Sequence, residues 1–115
     1  LSPGEVMEQI KQLLWTRCNV VRDGEKLGEA LTRLEEMSGC YNALKSITAG
    51  TPVNDAIRAR HALVMAKALF TAADNRKESR GAHYRADFPE RDDATFGMRQ
   101  TITMKDGELQ SEFRI

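Results

Sequence analysis

The sequence has no excess of charge of either sign and no long apolar run. Lys and Arg together number 17 and Asp and Glu also number 17, so the formal net charge at pH 7 is zero. Nucleic-acid-binding domains usually carry a basic surface, and a membrane-spanning helix needs about 20 consecutive apolar residues. The composition therefore predicts no nucleic-acid partner and no direct membrane insertion. No signal-peptide pattern opens the chain, so a cytoplasmic or membrane-peripheral setting is expected.

Cysteine is scarce as well. The two cysteines are Cys18 and Cys40, which are expected near the C-terminal ends of two antiparallel helices. They would then lie roughly 20 Å apart, because each helical residue adds 1.5 Å. A disulfide requires Cα atoms within about 7 Å of each other. The spacing therefore predicts two buried free thiols.

The short motifs of catalysis and cofactor binding are missing too. The sequence contains neither GxGxxG nor GxxxxGK[ST], the loops that hold dinucleotides and triphosphates. His61 and His83 belong to no short-spaced pair of metal ligands. Ser79, His83 and Asp87 are four residues apart, but a glycine and a proline interrupt the helix that would align them. We therefore predict no catalytic, cofactor-binding or metal-binding residue here, and no catalysis by this fragment alone.

Apolar residues at helical spacing predict one helix near the N-terminus and a second after a turn. Ser2 followed by Pro3 is typical of a capped helix start, and this helix is expected to end near residues 18–20. Residues 22–24, Arg-Asp-Gly, form the turn. Helix 2 is then expected to run on through Leu44.

A long third helix is predicted over about residues 53–79. Thr51 is a candidate cap residue, Pro52 suits the first helical position, and Gly81 is the expected stop. The many alanines of this helix favour the helical state and close approach of neighbouring helices. The predicted apolar faces are Val6, Ile10, Leu13, Leu14, Trp15 and Cys18 in helix 1, Leu27, Ala30, Leu31, Leu34, Met37, Tyr41 and Leu44 in helix 2, and Ile57, His61, Val64, Ala68 and Ala72 in helix 3.

The pattern changes from helical to alternating after Pro89, which is typical of β-strands. Asp-Gly at residues 106–107 favours a two-residue hairpin turn. This turn would pair Met104 with Leu109, Ile102 with Ser111, Gln100 with Phe113 and Met98 with Ile115. An isolated hairpin is only marginally stable in water. Its apolar face is therefore expected to pack on the helices or on protein outside this chain.

These elements predict a mainly α fold, with a three-helix bundle followed by a charged loop and a C-terminal β-hairpin. The length of 115 residues suits one domain, spanning residues 1–115, with one modest core. The chain begins with Leu1 rather than methionine, and a helix start follows at once. We therefore expect it to be a domain excised from a longer protein.

Residues 76–93, which we call the charged segment, gather unusual chemistry. They carry five positive and five negative side chains together with His83. Guanidinium groups bind carboxylates and carbonyls with fixed, often bidentate geometry, so the segment could dock on another surface. The simpler alternative is a solvated helix end and loop. The candidate interdomain docking residues are Arg76, Glu78, Arg80, His83, Arg85, Arg91, Asp92 and Asp93.

The charged segment also carries a family resemblance. Residues 78–83, Glu-Ser-Arg-Gly-Ala-His, are followed by Arg85, Asp87 and then Pro-Glu-Arg-Asp-Asp at 89–93. This run resembles the signature near the C-terminal end of flavoprotein subunits of succinate dehydrogenase and fumarate reductase. Residues 14–24 resemble the end of the first helix of that family's C-terminal helical domain, and a closing hairpin also fits. The resemblance covers nearly the whole chain.

The resemblance implies that the parent protein is an FAD-dependent oxidoreductase that interconverts succinate and fumarate. In that family the flavin site and the catalytic residues lie in preceding flavin-binding and capping domains, so no such residue is assigned here. The implied partners are those domains and the iron–sulfur subunit of the complex. The implied location is the cytoplasm, peripheral to the inner membrane.

Three alternatives stay open at this point, and adenylylsulfate reductase is the most distant of them. L-aspartate oxidase, a relative in the same superfamily, shares a similar Glu-Ser-Arg-Gly core but usually lacks the Glu-Arg-Asp-Asp continuation present at residues 90–93. A free-standing helical protein-interaction module would be unrelated to redox chemistry. An intact gene that starts at this domain would favour that module.

Overall fold

The fold is mainly helical and ends in a β-hairpin. A computed structural model describes residues 2–18, 21–106 and 108–114. These residues form five helices and two strands, namely α1 (Pro3–Arg17), α2 (Gly24–Cys40), α3 (Ala43–Thr48), α4 (Val53–Asn75), α5 (Asp93–Phe96), β1 (Arg99–Lys105) and β2 (Glu108–Arg114). The predicted architecture of three long helices, a charged loop and a hairpin is confirmed, with two short helices added.

The helix starts follow the sequence signals except in α4. The Oγ of Ser2 accepts a hydrogen bond from the backbone N–H of Glu5 (3.2 Å), which confirms the predicted cap. At α2 the carboxylate of Asp23 accepts from the N–H of Lys26 (2.9 Å). The predicted cap by Thr51 is wrong, because Pro52 occupies the cap position of α4 and no side chain caps that end.

The prediction that helix 2 continues to Leu44 is also wrong. The helix ends at Cys40 and the backbone of Tyr41 is extended. The hydroxyl of Tyr41 donates to the carbonyl of Ala56 at the start of α4 (2.8 Å), while the side chain of Asn42 caps the new helix α3 through the N–H of Lys45 (3.0 Å). A tertiary hydrogen bond and a strong cap residue thus divide the apolar pattern into two helices.

The buried face of α4 differs from the predicted one. The side chains that it buries are Ala56, Ala59, Leu63, Ala66, Phe70 and Ala73, whereas Ile57, His61 and Val64 of the predicted face are exposed. Apolar residues occur on both sides of α4, so periodicity could not identify the inner side. Small alanines are buried because they let α1 and α2 approach closely. The helix also ends at Asn75, four residues earlier than predicted, and not at Gly81.

The core lies where α1, α2 and α4 meet. Val6 and Ile10 of α1 are buried against α4, and the predicted helix 2 stripe is buried at Leu27, Ala30, Leu34, Met37 and Tyr41. The stripe is wrong at its end, because Leu44 lies in α3 and is 72% exposed, and Leu31 is only half-buried. Trp15 is also 72% exposed and does not extend the α1 stripe as predicted. Cys18 and Cys40 are free thiols, as predicted. The prediction that both are buried is wrong, since Cys18 is half-buried and Cys40, at the end of α2, is exposed.

The hairpin has the predicted register. Met104 pairs with Leu109, Ile102 with Ser111 and Gln100 with Phe113, whereas Ile115, the expected partner of Met98, lies outside the described residues. Asp106 has a φ of 53°, in the left-handed region that a tight two-residue turn requires. Both strands contact α4. Ile102, Leu109 and Phe113 are half-buried, whereas Met104 is 50% exposed. The apolar face of the hairpin is therefore packed on the helices only in part.

Candidate interdomain interface: the charged segment

The charged segment leaves α4 and folds back against the connection between α1 and α2. The backbone N–H of Arg22 donates to the carbonyl of Tyr84 (2.9 Å), and the N–H of Ala86 donates to the carbonyl of Arg22 (2.6 Å). Within the segment, Arg80 and His83 exchange both backbone hydrogen bonds, and Gly81 between them has a φ of 57°. The segment is therefore an ordered part of the domain.

Glu78 is the buried anion at the centre of the charged segment. Its exposed fraction is 0%. It accepts from the Nη1 of Arg76 (2.5 Å), from the Nε and Nη2 of Arg80 (3.0 Å each) and from the backbone N–H of Asp92 (2.9 Å). The contact with Arg80 is bidentate, the strongest form of this interaction. One carboxylate thus joins the end of α4 to the start of α5.

The protonation of Glu78 follows from this environment. Burial by itself would raise the pKa of the Glu78 carboxyl, because it disfavours the charged form. The hydrogen bonds from Arg80, from the backbone of Asp92 and from Arg76 outweigh burial and lower the pKa of Glu78 to about 2. The bond to Glu78 in turn raises the pKa of Arg80, with a further contribution from Asp93. Glu78 and Arg80 are therefore ionised throughout the physiological pH range.

Arg76 connects the same cluster to the hairpin. Its Nη1 also donates to the carbonyl of Phe96 (2.8 Å), and its Nη2 donates to the carbonyl of Met98 (2.8 Å). The guanidinium carbon lies 5.1 Å from the ring centroid of Phe113, within the range of a cation–π contact. Arg76 therefore fixes the entry of β1 relative to the end of α4.

Arg85 is buried at the C-terminal end of α4, with an exposed fraction of 1%. Its Nη1 donates to the carbonyls of Asp74 (2.6 Å) and Ala73 (3.3 Å), which belong to the last turn of the helix and lack helical N–H partners. Its Nε and Nη2 bind both carboxylate oxygens of Asp87 (3.0 and 2.8 Å). A positive charge at this position is also favoured by the helix dipole.

Asp87 carries the connection from α4 to α2. Its Oδ2 accepts from the backbone N–H of Gly24, the first residue of α2 (3.0 Å). Burial would raise the pKa of Asp87, but the bonds from Arg85 and Gly24 lower it. A Cβ at Gly24 would lie 2.8 Å from the Nη2 of Arg85 and 2.8 Å from the Oδ2 of Asp87. Glycine at position 24 therefore leaves room for the pair at its observed distance from the helix, and a larger residue would require the two side chains to shift.

His83 is half-buried between two groups that fix its tautomer. The Nη1 of Arg22 lies 2.9 Å from its Nδ1, and the carbonyl oxygen of Arg76 lies 3.0 Å from its Nε2. A guanidinium only donates and a carbonyl only accepts, so Nδ1 must accept and Nε2 must carry the proton. Burial lowers the pKa of His83. The bond to the Arg76 carbonyl raises it, but the charges of Arg22, Arg85 and Arg76 lower it further, so the net shift is downward.

This environment predicts a pH dependence of stability near neutrality. Below about 6.5, the ordinary pKa of histidine, the unfolded chain binds a proton that folded His83 does not bind. The free energy of unfolding should therefore fall as pH drops from 7 towards 5.5, by at most about 1.4 kcal/mol per pH unit. Urea unfolding followed by circular dichroism at several pH values measures this slope.

The replacement of His83 by glutamine should remove this slope, because glutamine is neutral at all these pH values. The lowered pKa values of Glu78, Asp87 and Asp93 act only at more acidic pH, so they do not contribute in this window. His61→Gln is the matched control, since His61 is exposed on α4. An unchanged slope in the His83→Gln variant would contradict the prediction.

The remaining predicted docking residues lie near the surface. Asp93 accepts a bidentate contact from Arg91 (3.0 and 2.9 Å) and one bond from Arg80 (2.6 Å), and these bonds lower its pKa to about 2. Asp92 caps α5 through the N–H of Thr95 (3.1 Å). Arg91 and Asp93 have the most exposed side chains among those of the eight residues that form ion pairs. Their side chains are 63% and 60% exposed.

The structure brings no catalytic set together in the charged segment. Ser79 bonds to the backbones of Arg85 and Phe88, His83 lies between Arg22 and Arg76, and Asp87 binds Arg85 and Gly24. Each of these three side chains is thus bonded to groups outside the triad. Within the described ranges, no group of three or more His, Cys, Asp or Glu residues is placed to hold a metal ion.

The residues outside the segment on which it folds were not indicated by any pattern in the sequence. Arg22 and Gly24 were assigned only to a turn, yet they provide the surface that receives His83 and Asp87. Their partners are 61 and 63 residues away, beyond any local pattern. The one available signal was that a glycine at a helix start can admit a close contact.

The comparison with known proteins agrees with this domain at the level of sequence and fold. The family model described as "Fumarate reductase flavoprotein C-term" matches residues 7–114. The chain belongs to this family. The fumarate reductase flavoprotein subunit of Helicobacter pylori (strain J99) is 38% identical over 96 residues, which cover 77% of this chain and 13% of that protein. The L-aspartate oxidase of Pyrococcus abyssi is 34% identical over 83 residues, 72% of this chain and 14% of that protein.

This fumarate reductase flavoprotein C-terminal domain is also similar in fold to a solved structure. A mutant of the E. coli quinol fumarate reductase FrdA superposes with a TM-score of 0.84 at 25% identity, and the match covers 98% of this chain and 20% of that chain. The chain thus spans a fifth or less of the length of these relatives. None of the helices in the described ranges has the length and hydropathy that a membrane crossing requires.

Proposed function

We propose that this chain is the C-terminal structural and docking domain of a flavoprotein subunit that interconverts succinate and fumarate with FAD. The match of the family model over residues 7–114 carries the proposal. The chemistry of the charged segment supports a structural role, because most of its cations and anions pair with each other or with backbone groups at helix ends. Catalysis is therefore assigned to the rest of the subunit.

The docking role of the charged segment is the second part of the proposal. Arg76, Glu78, Arg80, His83 and Arg85 hold the segment in one conformation through bonds inside the domain. Arg91 and Asp93 are the exposed members, with side chains that can exchange partners at little cost, since exposed ion pairs contribute about 0–1 kcal/mol at most. We propose that the ordered segment, residues 76–93, presents these groups and Asp92 to the flavin-binding and capping domains.

The wider setting follows from the same proposal. The subunit would assemble with an iron–sulfur subunit and would lie in the cytoplasm, peripheral to the inner membrane. This domain would contribute to that assembly through its surface. Nucleic acid is not among the proposed partners, because the net charge of the chain is zero and no basic surface is expected.

A flavin titration tests the division of roles. We expect the 115-residue chain to be colourless and to leave flavin fluorescence unchanged, because it lacks the dinucleotide-binding loop. The full-length protein that contains this domain should bind FAD and reduce fumarate or oxidise succinate. Tight flavin binding by the 115-residue chain, or a full-length reading frame without a Gly-rich dinucleotide loop, would contradict the proposal.

L-aspartate oxidase is the second candidate for the parent activity. The relative from P. abyssi is 34% identical, close to the identity of the H. pylori fumarate reductase subunit. The assignment to succinate and fumarate rests on the Glu-Arg-Asp-Asp continuation at residues 90–93. Assays of the full-length protein with succinate, fumarate and L-aspartate separate the two activities.

A further inference from the structure

Helix α4 has a second apolar side that the described part of the chain leaves uncovered. Its residues are four apart, Val53, Ile57, His61, Met65 and Leu69, and we call them the outer stripe. The four apolar members are 52%, 41%, 69% and 45% exposed. The opposite side of the same helix is buried in the core. A helix that is apolar on both sides is normally buried on both sides.

The geometry of the outer stripe suits a packed partner. Side chains four residues apart form a continuous ridge, and packing of such ridges into grooves is the commonest class of helix packing in globular proteins. Residues 53–69 span about 24 Å of helix at 1.5 Å per residue. Arg58 and Arg60 flank the ridge and are exposed, so they can bind carboxylates or carbonyls at the rim of a partner groove.

The size of the ridge favours a partner that is covalently linked. A ridge about 24 Å long and about 10 Å wide offers roughly 240 Å², whereas a stable complex between separate proteins buries about 800 Å² on each partner. Separate partners also lose translational and rotational freedom on association, which opposes binding. A segment of the same polypeptide avoids most of that loss, because the link supplies a high effective concentration.

We propose that the outer stripe of α4 docks in an apolar groove formed by the remainder of the same flavoprotein polypeptide. This inference rests on the proposed function, since it needs that remainder, and most of each relative's length lies outside the matched region. The domain would then have two docking surfaces, the charged segment and the apolar outer stripe of α4. The apolar ridge supplies the burial, and the charged segment supplies polar contacts elsewhere on the domain.

Thiol labelling compares the outer stripe in the short and the long protein. Met65→Cys is introduced into the 115-residue chain and into the full-length protein, with Cys18 and Cys40 replaced by serine. Alkylation by iodoacetamide is followed by mass spectrometry of the labelled peptide. The control is Glu36→Cys, because the side chain of Glu36 is 58% exposed on α2.

The two sites should react at similar rates in the 115-residue chain. In the full-length protein, the Met65→Cys site should react at least about tenfold more slowly than the control site, as expected for a site protected by packing. The inference would be overturned if the Met65→Cys site and the control site reacted at equal rates in the full-length protein as well as in the 115-residue chain. Protection that appears in the 115-residue chain as its concentration rises, with a dimer in sedimentation, would overturn it in favour of a second copy.

A second variant distinguishes docking from folding. Leu69→Asp should leave the melting temperature of the 115-residue chain nearly unchanged, because Leu69 is 45% exposed there. It should lower the melting temperature of the full-length protein. Equal small effects in both would overturn the inference. Absence of bound flavin in the full-length protein would instead count against the proposed function, while the labelling ratio would still report on the docking surface.

Discussion

Replacement of Glu78 by glutamine should cost the domain about 3–5 kcal/mol of unfolding free energy, the usual loss when one partner of a buried ion pair is removed. Glutamine has nearly the same size, so the loss isolates charge and hydrogen bonding. Its amide would place a donor against the N–H groups of Arg80 or Asp92, and two guanidinium groups would lose their buried anion. Small domains have only about 5–15 kcal/mol in total.

The matched control for Glu78 is Asp93→Asn. Both carboxylates bind Arg80, but the Asp93 side chain is 60% exposed whereas Glu78 is buried. Water and salt can therefore replace the contacts of Asp93, and its loss should be only a small part of that seen for Glu78. Urea unfolding at pH 7 measures both variants. Equal losses would mean that burial does not decide the strength of this cluster.

The contribution of Glu78 to the stability of the domain should also depend on pH in the acid range. The pKa of Glu78 is lowered from 4.5 to about 2 in the folded domain, so its contribution is complete above about pH 4.5 and disappears as pH falls towards 2. The stability of the Glu78→Gln variant should change less over this window. The same acid titration of unfolding therefore provides a second measurement on the two proteins.

The parts of this fold that the sequence predicts correctly depend on local rules. Ser2 and Pro3 mark the start of α1, and the turn after Lys105 sets the register of the hairpin through a loop of fixed length. The family resemblance was carried by residues 78–93, and the family match confirms it. In each case the signal lies within a few residues of the structure that it determines.

The features that were predicted wrongly depend on distant contacts. α2 ends at Cys40 because Tyr41 bonds to Ala56, 15 residues away. The inner face of α4 was misassigned because both of its faces are apolar, and the alanines that pack inside have small side chains and a weak hydrophobic signal. A helix with apolar residues on two sides cannot be oriented from its own periodicity.

In the candidate site, too, the composition could be read from the sequence but the arrangement of the side chains could not. Ten charged residues in 76–93 indicated that the segment was special, but not that Glu78 and Arg85 would be the buried ones. Their burial depends on helix ends that meet there. Arg85 lies between the end of α4 and, through Asp87, the start of α2 at Gly24, and Glu78 lies between the end of α4 and the start of α5. Backbone groups at helix ends need partners, and the segment provides them.

Replacement of Arg85 should therefore have an effect comparable to that of Glu78. Arg85→Met keeps much of the buried aliphatic volume but removes the donors to the carbonyls of Ala73 and Asp74 and the bidentate contact with Asp87. We expect a loss of about 3–5 kcal/mol, since a partly buried carboxylate loses its cation and the last turn of α4 loses its cap. Thermal and urea unfolding measure this loss.

Arg91→Met is the matched control for Arg85. Arg91 makes the same bidentate contact with an aspartate two residues further on, but its side chain is 63% exposed and it binds no helix end. Its replacement should therefore have only a small effect. The loss of unfolding free energy in Arg85→Lys should lie between those of Arg85→Met and Arg91→Met. Lysine keeps the charge but cannot bind Asp87 and the α4 carbonyls with one planar group.

Amide hydrogen exchange locates the damage from Arg85→Met. Faster exchange should concentrate in the last turn of α4 and at the first turn of α2, because Asp87 holds Gly24 only while Arg85 holds Asp87. The hairpin should keep its protection, since Arg76 and Glu78 fix it independently of Arg85. Uniform loss of protection would argue that the domain unfolds as one unit, and no change at α2 would show that the Arg85–Asp87 pair does not connect the two helices.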